Sequence, residues 1–566
     1  RKSAPSWQAP HPLTPNPSPH GRGDELRSGH SESEDAAPMI TDPADALSDP
    51  PPRRWWEHPA LLALVVVASA FPLLWPDIPP LVDLPGHMGR YAVQLDIGRS
   101  PALQAFYDFK WQLIGNLGVD LLVIPLAKLF GLELAVKMIV VAIPPMTVAG
   151  LLWVAREVHL RVPPTAFFAL PLAYCFPFMF GFVNFALSMA LALLAFALWL
   201  RLARLGRTGL RAAIFVPISF AIWVCHTFGW GTLGVMAFSA ELVRQIDLKR
   251  PFVKGGLKTV AHCLSLAPPV LLMLLWRSGD HVGGETGEWF KWVLKKQWVL
   301  MALRDRWYQF DRISLWMIWA VLLLGLLWWK KLQYSRNLAA SAIFLAIVYI
   351  CLPRIVFGSN YADMRLVPYA IAVAVIAVRQ RPAAVAKAGS ALAVLGLLFF
   401  AVRIAGNGWS FLLYDQAYGR ELAAIRYLPE NAKVISFVGV RCRKGWGMTR
   451  IEHLPALGIV RRHAFSNDQW SMSGAQLLTS HYPDDGWFSR DPSQQVLDAP
   501  CRGERWLTLD ESLRRFPRDK FDYVWLLRPP RFDESLTEGL APIWRSGTSV
   551  LYRVVDHRPL PQKDIG

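Results

Sequence analysis

Charge is scarce in this chain. Only 18% of its 566 residues are charged, against 53% hydrophobic residues and 25 Trp, a balance that excludes an ordinary soluble protein and points to a polytopic membrane protein. Acid is the scarcer sign: 43 Asp and Glu against 60 Lys and Arg, for a formal charge of +17. The basic residues are not clustered with stacking aromatics; they punctuate apolar runs, as topology signals do, and nucleic-acid binding is discarded. Cysteine is sparse as well, with six residues and no CxxC or His/Cys spacing that would mark a structural zinc site. Cys175, Cys225, Cys263 and Cys351 lie in or at the ends of apolar segments and read as small core hydrophobes. The sequence also lacks an internal repeat and a paired set of Gly/Pro-broken helices, which counts against a transporter.

Residues 1–54 are rich in Pro, Ser, Gly and charge and are expected to be disordered, because they bury too little apolar surface to fold. Within them PLTPNPSPHGRG reads as a translated bacterial intergenic repeat, which makes Met39 a candidate true start. Apolar runs of about spanning length follow at 59–76, 134–155, 163–181, 183–202, 211–226, 227–243, 257–276, 313–329, 337–355, 364–379 and 388–405. The expected fold is thus an α-helical membrane domain of about eleven spans over 55–410. The shorter run 117–131 carries Asp120 and Lys128 and is read as a helix lying in the interface.

Charge sets the orientation. With the N-terminus in the cytoplasm, every short basic loop falls inside: Arg156 and Arg161, Arg201 to Arg211, Arg244 to Lys258, Lys330 to Arg336, and Arg379 to Lys387. The loop bearing Asp83, the 278–312 and 356–363 loops and everything after Arg403 then lie outside. From 411 to 566 the pattern changes to an extracytoplasmic α/β domain, periplasmic if the membrane is a bacterial inner membrane. AKVISFV (432–438) and FDYVWLL (521–527) have the composition of strands, and IWRSGTSVLYRVV (543–555) reads as a hairpin turning at Ser546 and Gly547. In an oxidising compartment Cys442 and Cys501 are a candidate disulfide, two free thiols being the alternative. The outer loop 278–312 alternates Trp with Lys and Arg, which suits a headgroup anchor or a lid.

Chemistry is sought where ionisable groups meet the bilayer, since burying them costs a few kcal/mol. The first outer loop, LVDLPGHMGRY (81–91), sets Asp83, His87 and Arg90 within eight residues: a base, a proton shuttle and an anion clamp. Pro85 and Gly86 are expected to keep the chain non-helical between the first two. The same side gathers Asn184, His226, Arg354, Asp363 and Arg365. Asp363 and Arg365 either pair with each other or face substrate. Inside the spans little ionises beyond Lys137.

One span, an outer loop with an early acid, a helix ending in LFG (LGVDLLVIPLAKLFG, 117–131) and then LELAVKMIVVAIPPMTVAGLLWVARE form an order that resembles the GT-C class of membrane glycosyltransferases. The likeness continues through a many-span body to an outside domain introduced by YLPENAKVISFV, and it is similar in particular to bacterial membrane proteins with a D-x-P-x-H first loop. The resemblance implies Asp83 as general base with His87 beside it. It also implies a polyprenyl-phosphate-linked sugar as donor, transferred with inversion to a lipid, glycan or protein acceptor. Arg365, Arg354 or Arg90 would hold the leaving phosphate, and His226 and Asp363 would complete the substrate site. Many members carry two adjacent acids in this loop, whereas Asp83 is followed by Leu84; a two-carboxylate metal site is therefore not expected, although a divalent cation stays open. The competing readings are a transporter or lipid flippase, with Asp83, His226 and Asp363 carrying protons, and a non-catalytic scaffold.

Overall fold

The computed structural model describes residues 53–277, 286–356, 358–381, 386–442, 445–471, 476–484, 486–501 and 506–560. The disorder expected over 1–54 falls outside these residues but for Arg53 and Arg54. Among the described residues, five helices are long and apolar enough to cross a membrane: Leu132–His159, Val183–Arg204, Thr208–Cys225, Tyr308–Leu327 and the stretch Lys387–Tyr427. Shorter apolar helices occupy Pro59–Leu73, Pro164–Phe180 and Arg336–Cys351. The body is organised around Val183–Arg204, 83% of whose apolar window is buried, against 33% for Thr208–Cys225, whose apolar side chains face outward as a lipid-facing helix requires.

Two expected spans are not single helices. The run 163–181 is a chain of short turns, Pro164–Phe168, Leu170–Tyr174 and Phe176–Phe180, because Pro164, Pro171 and Pro177 each remove a helix donor. The run 257–276 breaks at Pro268 and Pro269 into Phe252–Cys263 and Pro269–Arg277. Nor are the spans as empty of charge as their hydropathy suggests. Glu241, inside Thr227–Asp247, is fully buried between Arg211 at 3.2 Å and Arg244 at 3.0 Å, and it accepts a hydrogen bond from Gln245 at 2.7 Å.

The helix Ala386–Leu422 runs through the expected boundary at 410 and leads straight into the C-terminal domain. That domain is built on a five-stranded sheet in the order Gln495–Val496, Val434–Gly439, Tyr523–Leu527, Ser549–Val554, Leu540–Ser546. The first two pairings are parallel and the last two antiparallel. Val434–Gly439, buried on both faces, is the near-continuous apolar run that a central parallel strand needs. The hairpin turns at Gly547, whose positive φ of 57° suits a residue without a Cβ. Cys442 and Cys501 are joined in a disulfide.

The C-terminal domain is pinned to the membrane domain by a buried ion pair, hydrogen bonds and close backbone approach. Arg450 pairs with Asp305, while Asp311 is fixed inside the membrane domain by Arg403 at 2.7 Å. Trp446 donates to the same Asp311 carboxylate at 2.7 Å, and Arg304 donates to the Trp446 carbonyl at 2.7 Å.

Candidate active site between the membrane and C-terminal domains

Asp83 sits where the chain turns into the helix Leu84–Asp96. Pro85 and Gly86 therefore lie in the first helical turn, contrary to the non-helical loop expected from sequence. Proline is well tolerated there because the first N–H groups have no intrahelical partner. The Asp83 N–H donates to the Phe180 carbonyl at 2.9 Å, and the approach is close enough that a Cβ on Gly181 would lie 2.7 Å from that nitrogen. Gly181 itself has φ of 105°, so both the conformation and the contact call for glycine. Gly86 and Gly89, one turn apart, do the same for the C-terminal domain. A Cβ on Gly86 would lie 2.7 Å from Trp470, and one on Gly89 would lie 3.0 Å from Ala456.

These approaches enclose a cavity of about 500 Å³ lined from both domains. The membrane domain contributes Asp83, His87, Asn184, His226 and Arg365, while the C-terminal domain contributes Glu452, His453, Trp470 and Asp491. Asp83 is 8% exposed, and among the described residues no hydrogen bond or ion pair reaches its carboxylate. Burial pushes its carboxyl well above the ordinary carboxylate range; Glu452 and Asp491 push it further, and Arg365 pulls it back. Arg365 is also 8% exposed. Among the described residues its hydrogen bonds are long ones, to Ser359 Oγ at 3.5 Å and the Asn360 carbonyl at 3.4 Å, and its Nε has no partner.

Burial disfavours the charged form of the imidazoles His87, His226 and His453. His87, one turn beyond Asp83, has its pKa lowered well below the usual value by burial and by Arg90, His453 and Arg365, and its Nδ1 makes no hydrogen bond among the described residues. Its ring lies 5.1 Å from Trp470, whose other neighbour is His453 at 4.3 Å. His453 is lowered by burial, against the pull of Asp491. His226 caps Thr227–Asp247, its Nδ1 accepting the Phe228 N–H at 3.1 Å.

Three other expected groups are not brought to the cavity. Arg90 is 1% exposed and paired with Asp120 at 2.9 Å, a carboxylate that also accepts from Asn184 at 2.9 Å. Asp363 is fully buried, held by Lys295 at 3.4 Å and the Met364 N–H at 2.9 Å, so the pairing with Arg365 considered from sequence does not form. Arg354 pairs with Glu288 at 2.6 Å. Asn184 does line the cavity, but its amide is engaged by Val119, Asn116 and Asp120.

Sequence reasoning missed Glu452, His453, Trp470 and Asp491. The one signal was the adjacent Glu-His pair followed by SNDQW (466–470) in a domain otherwise read for its strands. Asp468 of that stretch is an organiser: it accepts the Ala456 N–H at 2.9 Å and the Ser466 hydroxyl at 2.8 Å, and burial raises its pKa to about 7. Among the described residues no group of three or more His, Cys, Asp or Glu side chains is placed to hold a metal ion.

No protein-family model and no curated protein sequence matches the chain. Among solved structures it is similar to the crystal structure of ArnT from Cupriavidus metallidurans bound to undecaprenyl phosphate. The identity is 13%, the match covers 89% of this chain and 98% of that one, and the TM-score is 0.44. Residue roles are not carried across at that distance.

Proposed function

We propose that the protein is a membrane glycosyltransferase that moves a sugar from a polyprenyl-phosphate donor to an acceptor on the outer face of the membrane. The observation that carries this reading is one cavity holding a buried carboxylate and a buried guanidinium, Asp83 and Arg365, neither of them paired, among the described residues, with another side chain of opposite charge. Both are costly to the fold unless a ligand uses them.

In the proposed reaction the acceptor hydroxyl gives its proton to the ionised Asp83 carboxylate as its oxygen forms a bond to the anomeric carbon. The bond from that carbon to the phosphate oxygen breaks, and its electron pair leaves with the lipid phosphate. Arg365 receives the phosphate, since a guanidinium grips its oxygens two at a time. Of the three arginines considered, Arg90 and Arg354 are committed to Asp120 and Glu288, which leaves Arg365 for this role. His87 orients the base or shares its proton. Direct displacement inverts the anomeric centre.

The test is transfer of labelled sugar from polyprenyl-phosphate donors by protein reconstituted in liposomes, comparing wild type with Asp83→Asn at equal, verified insertion. Transfer by wild type and its loss in the variant are expected. Undiminished turnover by Asp83→Asn would remove the assignment.

A further inference from the structure

We propose that residues 286–300 form a membrane-surface anchor, with an outer face seated among phospholipid headgroups on the cavity's side of the membrane and an inner face that fixes the loop 352–361. The segment is inside out for a surface in water. The helix Trp292–Leu300 buries Lys295, which is 3% exposed, together with Trp298, while Trp289, Phe290, Trp292 and Val293 are exposed, Val293 to 72%. Helical spacing puts Trp292, Val293 and Lys296 on one side and Lys295 and Trp298 on the other. Exposed rings interleaved with the exposed Lys291 and Lys296 match the layer where lipid chains give way to phosphates. The patch also continues a lipid-facing surface: the helix packs against the end of Arg336–Cys351, an apolar helix whose Ile343, Ile347 and Ile350 are exposed. That continuity makes lipid the occupant.

The inner face is organised by one ammonium. Lys295 Nζ donates to the carbonyls of Tyr349 at 2.8 Å and Leu352 at 2.7 Å, at the C-terminal end of Arg336–Cys351, and lies 3.4 Å from Asp363 Oδ2. Asp363 in turn accepts the Met364 N–H at 2.9 Å in the first turn of Ala362–Ile376. The ammonium thus meets the negative end of one helix, and its carboxylate partner sits at the positive end of the next, the favourable sense at both. Between these two ends runs the loop 352–361, which the anchor holds at further points. Gly287 and Ile355 exchange N–H···O bonds at 3.1 and 3.2 Å, Glu288 pairs with Arg354 at 2.6 Å, and the Trp298 ring lies 6.0 Å from that of Tyr361. Glu288 and Phe290 take φ of 58° and 52°, a region that side chains resist, so these contacts rather than local preference hold the turn.

The consequence for the reaction rests on the glycosyltransferase reading. Ser359, Asn360 and Tyr361 line the cavity, and Arg365 donates to the first two. Lys295 does not line it. It is a positioning residue, which acts through the loop on where the Arg365 guanidinium stands.

Two measurements need no turnover. In the full chain in phospholipid nanodiscs, Cys263 and Cys351 are replaced by Ala and the buried Cys175 and Cys225 are kept. A nitroxide at Val293→Cys is expected to meet dissolved oxygen in preference to a water-soluble nickel chelate, and one at Arg515→Cys, exposed on the C-terminal domain, to show the reverse. Equal nickel access at the two positions overturns the anchor, whether water or a partner protein covers the face. Hydrogen exchange reads the inner face. Trp289→Ser/Trp292→Ser/Val293→Ser and, separately, Lys295→Met are expected to speed exchange at the Ile355 and Ala362 amides on the order of tenfold and to leave Val183–Arg204 unchanged. Unchanged exchange at those two amides in the triple variant overturns the link between anchor and loop. In liposomes that support transfer, both variants are expected to raise KM for the donor about tenfold with kcat unchanged. A fall in kcat with KM unchanged removes the positioning role. Absence of transfer by wild type removes the enzyme reading, and the anchor then stands or falls on label and exchange.

Discussion

The molecule buries two kinds of charge, and they differ in what surrounds them. At Arg90–Asp120, Arg403–Asp311, Arg450–Asp305 and Glu241 with Arg211 and Arg244, every charge has a partner of opposite sign in contact, and the groups are as dry as the apolar core around them. In the cavity, Asp83 and Arg365 are nearly as buried yet lack such partners among the described residues. Paired burial is a structural arrangement, in which the attraction and the added hydrogen bonds offset much of the desolvation. Unpaired burial is left uncompensated by the fold, and a protein retains it where a ligand completes it.

The sharpest way to break the comparison is Asp83→Asn. Loss of a general base is expected to lower transfer by about 10²- to 10⁴-fold. Thermal stability in detergent should stay level or rise, because the change removes a carboxyl that the site already disfavours in its charged form. A fall in stability as large as that from a broken ion pair would erase the distinction. The counterpart is Arg90→Met, which leaves Asp120 buried and unpaired and is expected to destabilise by about 3–5 kcal/mol. Denaturation measured beside Asp83→Asn sets the two kinds of burial against each other.

Smaller changes sharpen the picture at the domain contact. Gly86→Ala pushes a methyl into Trp470, and overpacking of this kind costs about 1–3 kcal/mol. Transfer should fall with it, since Trp470 lies between His87 and His453; unchanged activity would show that the contact does not position the imidazoles. Last is the pH dependence of Asp468. Its folded pKa of about 7 lies above its ordinary value, so the folded state binds the extra proton, and stability is lost as pH rises through that range. Asp468→Asn should flatten this slope, which for one group is at most about 1.4 kcal/mol per pH unit. A slope unchanged in the variant would assign the titration elsewhere.

The sequence by itself determined the class of molecule. Scarce charge, apolar runs of spanning length and the later strand-like segments are local properties, and local periodicity is what a single chain displays. Asp83, His87, His226 and Arg365 were legible because an ionisable group beside an apolar run stands out wherever it falls. Tertiary structure decided which of these groups meet. Arg90, Arg354 and Asp363 carry the same chemistry in the sequence, and only their partners, Asp120, Glu288 and Lys295, show that they are already engaged. It also supplied the acids that the first loop lacks. Glu452 and Asp491 lie several hundred residues from Asp83 in the chain, and they reach its cavity because Gly86 and Gly89 let the C-terminal domain close on the helix that Asp83 begins. Pairing and enclosure depend on distances in space, which residue type and spacing along a chain do not specify.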